Sequence, residues 1–253
     1  MTTLVMERLA PVALEDLVEE AGLLTRVDRK YVVPVAEAWS LLDAVPRGTR
    51  VLEIDGAREF GYRSRYLDTP DRAGYLSSGR SCRLRWKVRT RRYVDTGGCW
   101  LEVKTRGQRG QTLKRRIEHP ETPRLADEGL AFVGGIVGQA AAGSLEPALE
   151  TSYRRTTLLL PGHSARVTLD VDLAWSAAGR RLARPGLAIV ETKTGSTPSA
   201  VDRLLWSRGR RPVRISKYGV GMAALYPELP RLKWHHTLVR HLDIPHPELE
   251  DLP

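Results

Sequence analysis

The chain of 253 residues carries 40 Lys and Arg against 30 Asp and Glu, for a net charge of +10 and a pI near 9.9. That length holds one large domain or two small ones around a real core, so neither a peptide-sized scaffold nor a long multidomain array is in question. The charge disfavours cationic partners and points to an anion: a nucleotide, a phosphate polymer, a nucleic acid or an anionic membrane.

At the start of the chain Glu7 and Arg8 precede any apolar run, so no secretory signal is read. Residues 9–24 predict an amphipathic helix with Val12, Leu14, Leu17 and Val18 at helical spacing. Residues 26–33 predict a strand with Asp28 and Lys30 on one face and Val27, Arg29 and Tyr31 on the other. Pro34 opens a second helix with the stripe Val35, Ala38, Trp39, Leu42 and Val45. Residues 51–54 and 60–67 predict a hairpin around Asp55-Gly56, and a helical turn follows at 71–76.

Residues 81–91 carry the strongest pattern in the chain. At a period of two, Arg83, Arg85, Lys87, Arg89 and Arg91 share one face, while Cys82, Leu84, Trp86, Val88 and Thr90 share the other. A strand that stacks only cations on its wet face repels itself, and an anion of high charge density relieves that repulsion. After the Asp95-Thr96-Gly97-Gly98 turn, Trp100, Glu102 and Lys104 alternate with Cys99, Leu101 and Val103. Cys82 and Cys99 cannot build a disulfide framework and read as small apolar residues in a reducing compartment.

Gly107 to Gly110 turns the chain into a strand over 112–118, which Pro120 and Pro123 stop. Residues 125–142 predict a helix interrupted at Gly134-Gly135; its apolar run is too short to span a bilayer, and the expectation is a soluble cytoplasmic protein with no transmembrane segment. Residues 147–160 predict a long strand with Glu150, Tyr153 and Arg155. Residues 165–175 alternate Arg166, Thr168, Asp170 and Asp172 against Val167, Leu169, Val171 and Leu173. Residues 187–193 form a further strand with Glu191 and Lys193 in phase. Pro198 opens a helix, and Ser216 caps another that begins Lys217-Tyr218-Gly219. The proline-rich residues 226–253 read as a lid or a loosely packed extension.

Most strands pair a charged face with an apolar one, which predicts an α+β fold: an antiparallel barrel with charged faces inside and helices outside. A sheet with solvated charges is the plainer alternative. A lone Glu-x-Lys means little, but Glu102-x-Lys104, Glu191-x-Lys193 and Asp28-x-Lys30 recur on alternating strands. His119, His163, His235, His236, His241 and His246 lack ligand-spaced partners and are given no metal role. No Gly-rich phosphate loop is present, so phosphate chemistry would rest on side chains.

Taken in order, Asp28-Arg29-Lys30-Tyr31, Tyr66-Leu67-Asp68, Arg83-Leu84-Arg85-Trp86, Leu101-Glu102-Val103-Lys104-Thr105, Tyr153-Arg154-Arg155-Thr156, Arg166-Val167-Thr168-Leu169-Asp170, Val190-Glu191-Thr192-Lys193 and Ser216-Lys217-Tyr218 resemble VTC domains. These are the polyphosphate polymerases of the triphosphate tunnel (CYTH-like) superfamily. The resemblance runs over about residues 26–225 and implies a single domain with a tunnel of eight antiparallel strands. It also implies a divalent metal, Mn2+ or Mg2+, and growth of polyphosphate from ATP, with no nucleic acid as partner. By position, Lys30, Arg83, Arg85, Lys104, Arg155, Arg166, Lys193 and Lys217 resemble the phosphate ligands and Tyr153 a hydroxyl donor. Glu191 resembles the metal ligand, assisted by Glu102 or Asp170. The Glu-x-Glu-x-Lys opening common in the wider superfamily is reduced here to Asp28-x-Lys30, which disfavours a simple triphosphatase.

Transfer of a γ-phosphoryl group rests on positioning and charge neutralisation, which a mixed Arg and Lys lining supplies. A terminal phosphate is already an anionic nucleophile, so a polymerase needs no general base, whereas a triphosphatase needs a carboxylate to orient water. The expectation is an ATP-dependent polyphosphate polymerase. The alternatives are a tunnel-type triphosphatase or nucleotide cyclase, and a non-catalytic binder of polyphosphate or RNA.

Overall fold

The computed structural model describes residues 6–21, 27–106, 112–122, 124–163 and 165–244. In chain order the elements are β1 (Ala10–Val12), α1 (Leu14–Ala21), β2 (Val27–Pro34), α2 (Val35–Ser40), β3 (Arg50–Leu52), β4 (Phe60–Asp68), α3 (Ala73–Gly79), β5 (Trp86–Tyr93), β6 (Cys99–Arg106), β7 (Thr112–Glu118), α4 (Asp127–Val137), α5 (Gln139–Gly143), β8 (Glu146–Leu159), β9 (Ala165–Ala177), β10 (Arg180–Arg184), β11 (Leu187–Thr194), α6 (Ala200–Ser207), α7 (Lys217–Leu225) and α8 (His235–His241). This is a mixed α+β fold built on a large antiparallel sheet with flanking helices. The pairing order β2–β11–β9–β8–β4–β5–β6–β7 has the eight strands expected, but it ends at β2 and β7 and does not close.

The chain divides into two compact units. The first comprises Met1–Gly61, Tyr153–Leu173 and Arg184–Val213. Here β11 pairs antiparallel with both β2 and β9, while β3 pairs with β8 and, in parallel, with β1. Tyr31, Val33, Val167, Leu169, Ala188 and Val190 face α2 and α6, meeting Ala38, Leu41, Val201 and Leu205. Each fully buried Val or Leu there contributes roughly 1.5–3 kcal/mol. The helix α6 is fastened by a capping box in which Ser199 and Asp202 satisfy each other's backbone amides. Buried Asp202 also accepts from Tyr31 Oη at 2.6 Å and Thr192 Oγ1 at 2.7 Å, which fixes the helix to β2 and β11.

The second unit comprises Tyr62–Ser152, Ala174–Ala183 and Arg214–Pro253. Strands β4, β5, β6 and β7 pair antiparallel in that order. Leu67, Val88, Leu101 and Val103 form the apolar face under α4 and α5, with Val133 and Ala142. Buried His119 donates from Nδ1 to the Pro120 carbonyl, while its Nε2 accepts from Ala126 N at the entry to α4. It therefore joins the end of β7 to the start of α4.

Several sequence expectations change. Residues 9–24 begin as a strand, because Ala10–Val12 finds a parallel partner in β3, and the helix starts only at Leu14. The Asp55-Gly56 turn exists, bridging Ile54 and Ala57, but β3 and β4 do not form a hairpin. The helical break falls at Gly138 (φ 98°), not at Gly134-Gly135, which continue α4. The cationic strand begins at Trp86, and Cys82 and Leu84 are exposed instead of forming a dry face. Residues 226–244 are not loosely packed: Trp234, Leu238 and Leu242 are buried. The turn predicted at Gly107–Gly110 and the chain beyond Ile244 lie outside the described residues.

Leu101 is fully buried at the centre of the second unit's apolar face. Leu101→Ala is expected to lower the unfolding free energy by about 2–5 kcal/mol, measured by urea denaturation.

Candidate functional site

In the first unit, the side chains opposite the helices form a charged face. Register places Lys30 beside Glu191 and Asp28 beside Lys193; across β9, Glu191 meets Thr168 and Lys193 meets Arg166. Glu191 Oε1 accepts from Lys30 Nζ at 2.9 Å and Lys193 Nζ at 2.7 Å, and Lys193 also reaches Asp28 at 3.2 Å. Burial alone would push the Glu191 carboxyl up, but the charges of Lys30, Lys193 and Arg155 outweigh it and hold the group well below its usual range. Arg155 forks onto Asp170 through Nε and Nη2 at 2.6 and 2.8 Å and lies over the Tyr153 ring. Lys30, Tyr153, Arg155, Arg166, Glu191 and Lys193 thus share one face. The residue missed in the sequence is Thr168: its buried Oγ1, beside Glu191, makes no hydrogen bond among the described residues.

In the second unit the face opposite α4 carries three cross-strand rows. Tyr66, Arg89, Glu102 and Arg116 form one; Ser64, Arg91, Trp100 and Glu118 form the next; Lys87, Lys104 and Lys114 form the third. Glu102 is fully buried, with Oε2 accepting from Arg89 Nε and Nη2 at 2.8 and 2.5 Å and Oε1 accepting from Lys114 Nζ at 3.2 Å. Burial would raise its pKa; Arg89, Arg91, Lys114 and Lys104 drive it far below the usual carboxylate range. Both its oxygens are engaged by cations, so in this structure Glu102 is an internal counter-charge. Arg89 also donates to Tyr66 Oη at 2.9 Å.

The remaining expected residues sit at the margins of that face. Arg83 is exposed in the segment before β5, and Arg85 Nη1 donates to the Cys82 carbonyl at 3.0 Å. Lys217 is the first residue of α7, whose cap, Ser216, accepts from Gly219 N and from Lys87 Nζ at 2.9 Å. The helix is set against β4 by Tyr218, which stacks on Tyr66 and donates to Asp68 Oδ2. Asp68 also accepts from the amides of Thr69, Gly74 and Tyr75, so one carboxylate starts α3 and anchors α7. The in-phase Tyr66-x-Asp68 was the sequence signal for it.

No group of three His, Cys, Asp or Glu side chains gathers at metal-binding distance among the described residues. Glu191 offers a single carboxylate that is already ionised. Mg2+ is commonly held by one or two carboxylates with substrate phosphates completing its shell, and the residues fit a metal of that kind.

A VTC domain model matches residues 25–226. The chain belongs to the VTC domain family. No protein of curated function matches it by sequence. Among solved structures, a candidate adenylyl cyclase from Hippeastrum with a dominant triphosphatase activity aligns at a TM-score of 0.51 and 17% identity, over 82% of this chain and 99% of that one. A candidate adenylate cyclase from Vibrio parahaemolyticus aligns at 0.43 and 13%, over 76% and 94%. A Pyrococcus horikoshii protein aligns at 0.44 and 15%, over 76% and 96%. The Hippeastrum likeness shows that this VTC domain shares that protein's fold. No described helix is long and apolar enough to cross a membrane.

The buried Arg89–Glu102–Lys114 group sets a pH dependence. The folded Glu102 carboxyl lies below its unfolded value near 4.5, so its stabilisation is complete above that pH and is lost as pH falls toward the folded value. Glu102→Gln is expected to cost about 3–5 kcal/mol at pH 7, because it leaves Arg89 buried without its counter-charge. The gap between wild type and variant should narrow below pH 4.5, as followed by urea unfolding across pH.

Proposed function

We propose that the chain is an ATP-dependent polyphosphate polymerase. One observation carries this reading within the family: the three carboxylates at the centre of the charged faces, Glu191, Asp170 and Glu102, are each bound up by cations. Glu191 is held by Lys30 and Lys193, Asp170 by Arg155, and Glu102 by Arg89 and Lys114. A carboxylate held ionised between ammonium groups is a poor partner for orienting and deprotonating water. A polyphosphate terminus needs neither service.

In the reaction, a terminal oxygen of the growing chain attacks the γ-phosphorus of ATP. The bond to the β,γ-bridging oxygen breaks, and ADP leaves. Lys30, Arg155, Arg166 and Lys193 would bind phosphate oxygens in the first unit, and Thr168 would donate its hydroxyl. In the second unit the Lys87, Lys104 and Lys114 row, with Arg85 and Lys217, would hold other phosphates. Such groups act by neutralising charge as it spreads over the transferring phosphoryl. Glu191 is the residue that would hold a divalent cation, Mn2+ or Mg2+, whose chemistry when bound is to withdraw charge from the phosphate oxygens.

The test is incubation with ATP and either metal, followed by separation of products. Polyphosphate plus ADP is expected; free phosphate as the only new product would assign a triphosphatase, the activity described for the Hippeastrum protein, and cyclic nucleotide a cyclase. Glu191→Gln is expected to abolish turnover while tripolyphosphate binding, measured by calorimetry without metal, persists. Normal polymerisation by that variant at saturating metal would remove Glu191 from the role.

A further inference from the structure

The C-terminal segment of the second unit carries a cation into a group that has no counter-charge. Arg85 and Arg106 meet where the β5–β6 ladder ends, with Arg106 N donating to the Arg85 carbonyl at 3.3 Å. Lys233, from the 3-10 turn Leu232–Trp234, lies within the influence of Arg85, Arg214 and Arg106. Burial first and then those three cations lower the Lys233 pKa, and burial and then Arg106 lower that of Arg85. Arg106 and Arg214 are exposed, and none of the four cations pairs with a carboxylate among the described residues.

The turn that delivers Lys233 is closely fitted. A Cβ on Gly79 would fall 2.3 Å from Leu232 Cδ1, and one on Gly219 would fall 2.2 Å from Trp234 Cε2. Only glycine at both positions lets the turn lie down on α3 and α7. Leu232 itself adopts φ 48°, a left-handed conformation that a branched side chain takes only when its surroundings enforce it. The buried indole Nε1 of Trp234 has no hydrogen-bond partner among the described residues. Lys233 Nζ donates to the Ser78 carbonyl, lies 3.4 Å from Ser81 Oγ, and sits 4.7 Å from the centroid of the neighbouring Trp234 ring. Capping the end of α3 accounts for one cation there. It does not account for three arginines gathered around it, which the capping contact is weakened by.

We infer that Lys233 and Arg106, together with Arg85 and Arg214, form a subsite for a linear phosphoanhydride chain, with Lys233 supplied by the C-terminal segment. The recognition chemistry is phosphate oxygens spread along a chain, met by lysine as a point charge and by arginines as forks. The subsite rests on the proposed function for the identity of the anion, and for its position on the contact of Arg106 with Arg85 and those of Lys233 with Ser78 and Ser81.

Tripolyphosphate binding by calorimetry, without metal and hence without turnover, tests it apart from the polymerase reading. Lys233→Ala and Arg106→Gln are each expected to weaken binding by about tenfold, the loss of one charge-assisted contact. Lys233→Arg is expected to restore most of it. Melting temperatures without ligand show whether Lys233→Ala has disturbed the fold; Arg106→Gln, at an exposed side chain, carries the test if it has. ATP in place of tripolyphosphate distinguishes the nucleotide's own triphosphate from the polymer as the source, since a matching loss for ATP assigns the nucleotide. Wild-type affinity in both variants, or sulfate binding as tightly as tripolyphosphate, overturns the inference. A wild type that binds tripolyphosphate through Lys233 but makes no polyphosphate overturns the polymerase reading alone.

Discussion

The buried fork of Arg89 onto Glu102 is the constraint from which the second unit follows. A sheet face dense in cations can fold only if some of its charge is cancelled from within, and Glu102 does this at full burial. The register sets the row carrying Glu102 next to the row of Lys87, Lys104 and Lys114, and Lys114 reaches back to Glu102. The first unit repeats the arrangement with Glu191 between Lys30 and Lys193. In both, the acid is held among cations that outnumber it.

The same logic explains why the apolar faces matter to the site. Val88, Leu101 and Val103 alternate strictly with Arg89, Glu102 and Lys104, so helices α4 and α5 lock the register of the charged rows from behind. A slip of one residue would exchange the faces and bury the cations under the helices. In the first unit α6 does this through Asp202, whose contacts with Tyr31 and Thr192 hold β2 and β11 in the one register that pairs Lys30 with Glu191.

The alternation of the strands was legible in the sequence because side-chain period depends on backbone geometry alone. Partners were not. Residues 81–85 keep the alternation of β5 yet leave the strand, because Ser81 turns at φ 61° and the amides of Ser81 and Cys82 bond back to the end of α3. Ala10–Val12 and Arg50–Leu52 read as helix and hairpin because their true partners are distant in the chain. At the site, Glu191 with Lys193 and Glu102 with Lys104 were visible as in-phase pairs. What was hidden was that Glu102 would pair with Arg89, that Thr168 would sit beside Glu191, and that Lys233 would reach the end of α3, since each depends on elements distant in the chain coming together.

The lysine row has a kinetic side. Lys87, Lys104 and Lys114 are chemically identical contacts set on neighbouring strands, roughly 4.8 Å apart in the pairing direction. A ligand made of identical repeating units finds no privileged alignment on such a row; displaced by one unit, it meets the same contacts again. Steps along the row therefore leave the contact energy nearly level, while complete departure forfeits all of it at once. If the chain is the polymerase proposed above, a chain of phosphates would move lengthwise far more readily than it would let go, and successive additions to one molecule would be favoured over starting new ones.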